Sequence, residues 1–75
     1  MTRYYIHLSD GRELIDTEGE HHADLEGARL AAILTMSEVL PARASSLWDN
    51  GSLTVTLVED GGEEVGRLEV RATSK

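Results

Sequence analysis

Ser52-Leu53-Thr54-Val55-Thr56-Leu57-Val58-Glu59 is the stretch that decides the fold. Leucine and valine alternate in it with serine and threonine. In an extended chain successive side chains point to opposite faces, so Leu53, Val55 and Leu57 share one side and Ser52, Thr54 and Thr56 the other. That is a strand of an antiparallel sheet with one buried and one wet face. Asp60-Gly61-Gly62-Glu63 follows and reads as a hairpin turn, because glycine takes the positive φ such turns need. Residues 64–71 then return as a strand. Gly66, Leu68 and Val70 fall on one side, and Val65, Arg67, Glu69 and Arg71 on the other.

Upstream the period changes. Across 24–40 the apolar residues Leu25, Ala28, Ala32, Ile33, Met36, Val39 and Leu40 gather on one broad face at about 100° per residue, which predicts a helix. Asp24 is placed to accept the free N–H groups of the first turn, and Glu26 puts negative charge at the positive end of the helix dipole. Pro41 lacks an N–H and disfavours helical geometry at Leu40, so the helix is expected to end or kink there. Residues 42–51 read as a loop with at most one more turn at 42–44, in which Leu47 and Trp48 fold back as a lid on the core. Nearer the start, Arg3-Tyr4-Tyr5-Ile6-His7-Leu8 is a strand, Ser9-Asp10-Gly11-Arg12 a turn, and Glu13-Leu14-Ile15-Asp16 a short second strand. Thr17-Glu18-Gly19-Glu20 breaks it. The order is β-β-α-β-β, an α+β fold with one helix packed on a roughly four-stranded antiparallel sheet. Its inward set is Tyr4, Ile6, Leu8, Leu53, Val55, Leu57, Leu68 and Val70. Residues 72–75 are a tail.

Size and charge narrow the function. Seventy-five residues form one domain, and a domain this short buries only about 60% of its unfolded surface. The absence of cysteine removes disulfides and thiolate ligands and suits a reducing compartment. No basic segment followed by a long apolar run suggests a signal peptide, and Leu30-Ala31-Ala32-Ile33-Leu34 is far short of the ~20 residues that span a bilayer. A cytoplasmic location is expected. Fourteen acidic against seven basic residues give a net charge of −7. The bases Arg3, Arg12, Arg29, Arg43, Arg67, Arg71 and Lys75 are scattered, so neither nucleic acid nor an anionic membrane is an expected partner.

No motif names a reaction. Glu18, Glu20, His21, His22 and Asp24 hold metal-ligand chemistry, and a small-ligand or metal sensor is one reading of them. Adjacent histidines point to opposite sides of an extended chain, however, so a solvated loop before a capped helix explains them more simply. His7 beside Tyr5 could serve as a general base, or be a half-exposed histidine on the outer sheet face. Ser45-Ser46 lacks the Gly-x-Ser-x-Gly setting of a nucleophile. Asp60-Gly61-Gly62 lacks the lysine of a phosphate loop, and Asp49-Asn50-Gly51 lacks the later ligands of a calcium loop. Arg29 lies near the core stripe; its stem either packs there while the guanidinium reaches water, or it meets a partner's carboxylate. No enzyme activity, cofactor or bound metal is expected.

The opening Arg3-Tyr4-Tyr5-Ile6-His7-Leu8, the Asp10-Gly11 turn, Leu14-Ile15-Asp16, the Glu18-Gly19 break, the helix start Asp24-Leu25-Glu26-Gly27-Ala28-Arg29 and the Asp60-Gly61 hairpin together resemble a family of short proteobacterial proteins known only as a domain of unknown function. The resemblance spans nearly the whole chain. Thr2 stands where proline is common in that family, and Gly27 where alanine is common. The likeness implies the same element order and a bacterial, cytoplasmic protein, and it implies no reaction. A looser similarity links the acidic helix after an N-terminal hairpin to HicB-type antitoxins, without their Pro-Gly-Cys stretch or DNA-binding segment.

What remains is an interaction module, joining another protein or a second copy. Leu30 and Leu34 lie on the helix side away from the core stripe, one turn apart. Val58 and Val65 alternate onto the outer sheet face, where Tyr5 joins them. These five residues form the candidate interface, and a homodimer is its simplest product. Sheet edges offer a rival route.

Overall fold

The computed structural model describes residues 1–74; Lys75, the end of the expected tail, lies outside them. Strand β1 runs Thr2–Ser9, β2 Glu13–Leu14, β3 Glu20–His22, β4 Ser52–Glu59 and β5 Glu64–Arg71. Helix α1 is Leu25–Ala42 and α2 is Ala44–Asn50. All pairings are antiparallel, in the order β2-β1-β4-β5, with β3 also on β1. The α+β class and the strands at β1, β4 and β5 follow the sequence patterns. Leu53, Val55 and Leu57 of β4 are buried as the alternation requires, against Tyr4 and Leu8 of β1 and Ala28, Ala32 and Met36 of α1. Ile6, Leu68 and Val70 pack around them, partly buried.

The structure corrects the first half of the chain. Glu13-Leu14-Ile15-Asp16 pairs with β1 only through Glu13 and Leu14, and a third short strand, β3, takes the other end of β1. Between them β1 has no strand partner on that side among the described residues. Asp16 fills the gap: its carboxylate accepts the Ile6 N–H at 3.1 Å, and its own N–H donates to His7 Nδ1 at 3.0 Å. The same carboxylate accepts the N–H groups of Glu18 and Gly19. Gly19 has a φ of 69°, and a Cβ there would lie 2.8 Å from the Tyr4 carbonyl oxygen. Only glycine fits that approach.

The helical segment also differs. Asp24 caps α1 through the Gly27 N–H at 2.8 Å, as its position suggests. The helix then runs through Pro41 to Ala42 instead of ending at Leu40. The N–H missing at Pro41 would have served the carbonyl of exposed Ser37, which water reaches, so a proline in the final turn disrupts little. Residues 44–50 form α2 where a loop was expected, closed by Gly51 in the left-handed conformation at φ 85°. A helix turns Leu47 and Trp48 about 100° apart, so only Leu47 reaches the core and Trp48 stays 60% exposed. The buried stripe of α1 is narrower than predicted. It is centred on Ala28, Ala32 and Met36, which leaves Ile33 off its edge and half exposed.

One further correction concerns β5. The β4–β5 register shifts between Leu57 and Val58, with Leu57 opposite Gly66 and Val58 opposite Glu64. Val65 is the extra residue of this bulge. Strict alternation put it on the outer face, but the bulge turns it toward the helix, where it packs against the cluster of Tyr4, Ala28 and Leu57.

Candidate interaction surface

The predicted site residues separate into three places. Leu30 and Leu34 are 56% and 55% exposed on α1, and Ile33, at 51%, joins them in one apolar arc. Tyr5 and Val58 are cross-strand partners on the far face of the sheet, half-buried. Val65 belongs with the helix side. The five residues are therefore not one surface; the arc and Val65 lie on the α1 side of the sheet, and Tyr5 with Val58 behind it.

On the α1 side a groove opens between the helix and β5. Ala32 and Ile33 line it from α1, Val55 and Leu57 from β4, and Val65, Gly66 and Leu68 from β5, with Arg29 and Arg67 at its margins. Arg29 is an exposed residue at the groove margin beside Ala32 and Ile33. The groove lies where α1, which packs chiefly on β4 and approaches β5 less closely, leaves space beside the inner face of β5. It runs beside the edge of the sheet. Among the described residues β5 is terminal in the strand order and pairs only with β4. The two edges thus differ. The β2–β3 side is short, interrupted and plugged by a side chain, whereas β5 presents eight residues without a proline.

The outer face of β5 alternates in charge. Arg67 bonds Glu64 at 2.7 Å and Arg71 bonds Glu69 at 2.7 Å, both pairs exposed. The Glu64 carboxylate raises the pKa of the Arg67 guanidinium, and Glu69 does the same for Arg71. Solvent screening leaves such pairs little effect on stability.

The remaining polar groups serve the fold. The Asp16 carboxyl is pushed up by partial burial, but the N–H groups of Gly19, Ile6 and Glu18 and the nearby His7 outweigh that and hold it below its ordinary range. His7 is oriented by Asp16, whose main-chain N–H donates to Nδ1. The Asp-Thr-Glu-Gly run was its available signal, since aspartate often accepts the N–H groups two and three residues on. Asp10, buried at 5% exposure, meets the Arg43 guanidinium at 2.9 Å, and its carbonyl accepts the Asn50 side-chain amide. This clamp ties the β1–β2 turn to α2 and has no local sequence signature. Arg43→Ala strands the buried carboxylate, and urea denaturation is expected to show a loss of about 1–3 kcal/mol.

His21 and His22 point apart along β3. His21 is exposed, while His22 lies 3.6 Å from Glu20 and tilts against the Tyr4 ring at 6.0 Å. Among the described residues no three His, Asp or Glu side chains are grouped to hold a metal ion. Ser45 is exposed and Ser46 half-buried on α2, and neither adjoins a histidine in a hydrogen bond among the described residues. Among the described residues no helix is long and apolar enough to cross a membrane.

No curated protein matches the chain, and no solved structure does. A family model matches residues 3–71, a span that contains α1, β5 and the groove between them. The chain therefore belongs to the family described as a domain of unknown function, DUF6894.

Proposed function

We propose that this chain is a non-catalytic protein-interaction module that works by self-association, with its contact surface on the α1–β5 side. The observation that carries this reading is the coincidence of two uncovered features. The apolar arc of Leu30, Ile33 and Leu34 adjoins a groove floored by core residues, and that groove borders a long open strand. Scattered exposed apolar residues are ordinary, but a contiguous set beside an unpaired edge is the usual form of a contact site. The sensor reading based on His21 and His22 has less behind it, because the two side chains diverge. The HicB-like reading has only the element order.

Ile33→Glu tests the surface. Ile33 is half exposed, so the monomer tolerates a carboxylate there. In an interface the same charge is desolvated without a partner, and self-association is expected to weaken about tenfold or more. Light scattering on both proteins, with helix content followed by circular dichroism, gives the comparison. An unchanged association constant removes the α1–β5 side from consideration.

A further inference from the structure

We infer that two copies of this chain join through β5, pairing antiparallel about a twofold axis at Leu68, so that Arg67 of each copy faces Glu69 of the other. This rests on the self-association proposed above and specifies its geometry.

The edge is chemically prepared for it. The Ala72 N–H donates to the Gly51 carbonyl at 3.0 Å, continuing the ladder that pairs Ser52 with Arg71. Main-chain groups in an antiparallel strand point alternately to either side. Leu68 and Val70 therefore direct their N–H and C=O groups to β4, while Arg67, Glu69 and Arg71 direct theirs to the open edge. A second strand laid there finds donors and acceptors at those three residues. The bulge at Val65 and Gly66 ends the regular edge on the other side.

Charge then selects the register. Residues directly opposite must share a face, so the axis falls on a residue and pairs like-facing positions. An axis at Arg67 or Glu69 sets that charge against itself. An axis at Val70 matches Glu69 with Arg71 but moves Arg67 past the end of the strand. An axis at Leu68 matches Arg67 with Glu69 twice by symmetry and keeps most of β5 paired. Opposite charges in such pairs stabilise and like charges destabilise.

The inner face agrees. The Leu68 axis places Val70 of one copy opposite Gly66 of the other. Gly66 has no positive φ, and a Cβ there would make only ordinary contact, 3.7 Å from Leu57, so nothing within the monomer demands glycine. Its bare backbone leaves the groove a notch that a valine from a second copy can occupy. The joint forms one continuous sheet with both α1 helices on the same side and Ile33 near the seam.

The test is a charge exchange. Arg67→Glu and Glu69→Arg are made separately, and sedimentation equilibrium is run on each alone and on the equimolar mixture. Both positions are exposed, and thermal melting confirms that each variant keeps its fold. Alone, each variant sets like charges opposite one another and is expected to dimerise about tenfold more weakly than the parent. In the mixture one chain brings two carboxylates and the other two guanidiniums to the paired positions, so heterodimer is expected at near-parental affinity. A mixture as weak as its components overturns the Leu68 register while leaving self-association standing. A parent that never dimerises overturns both.

Discussion

Leu57→Ala is expected to lower the unfolding free energy by about 2–4 kcal/mol, measured as a shift in the urea midpoint at unchanged slope. Leu57 is 2% exposed and belongs to the same cluster as Tyr4 and Ala28, with Val65 and Leu25 closing over it. Removing its branched end takes away the transfer energy of the buried atoms and leaves a cavity between sheet and helix. A domain of this size has a total stability of only about 5–10 kcal/mol, so the loss is a large fraction of the whole. Ile6→Ala, at a half-buried neighbouring site on β1, is expected to cost less. Equal losses at both positions would contradict the gradient of burial from the middle of the sheet outward.

The second large effect is expected at Asp16. Its carboxylate accepts three main-chain N–H groups, and through Ile6 it completes the side of β1 that β2 and β3 leave open. Asp16→Ala removes all three bonds and exposes the ends of two very short strands, with an expected loss of about 2–3 kcal/mol. The pH dependence has a defined sign. The folded carboxyl titrates below its ordinary value of 3.8, so the folded state favours the charged form. Its contribution is complete above the unfolded value and is lost as pH falls through the lower folded value. The parent is therefore expected to lose stability on acidification through and below about pH 4, and Asp16→Ala to lose less over the same interval. An identical acid profile in both proteins would show that Asp16 is not a source of the acid sensitivity.

The parts of the fold legible in the sequence are those fixed by local periodicity. The alternation of Leu53, Val55 and Leu57 required a half-buried strand whatever surrounded it, and the structure has one. The helix start at Asp24 was equally local, since capping involves only the next few residues. Three features depended on contacts distant in sequence or on a single-residue irregularity. β3 is three polar residues whose strand character comes only from pairing with β1. The Asp10–Arg43 clamp joins residues thirty-three apart. The bulge at Val65 reverses the side of a residue that simple alternation places outward. The candidate surface was legible to the same degree: Leu30 and Leu34 follow from helical angle, whereas the exposure of Ile33 depends on how α1 sits across the sheet, beside the groove along β5.

That uncovered side is the centre of the functional account. An open strand is either blunted or used: Asp16 and two short strands close the ladder on the opposite edge, whereas β5 carries exposed charges and a bulge but leaves the outward main-chain groups of Arg67, Glu69 and Arg71 free for a partner strand. The direct measurement is sedimentation equilibrium of the unmodified protein from low to high micromolar concentration at moderate salt. The mass is expected to rise from the 8.2 kDa of one chain toward twice that value as concentration increases. A mass that stays at 8.2 kDa throughout the range would contradict it.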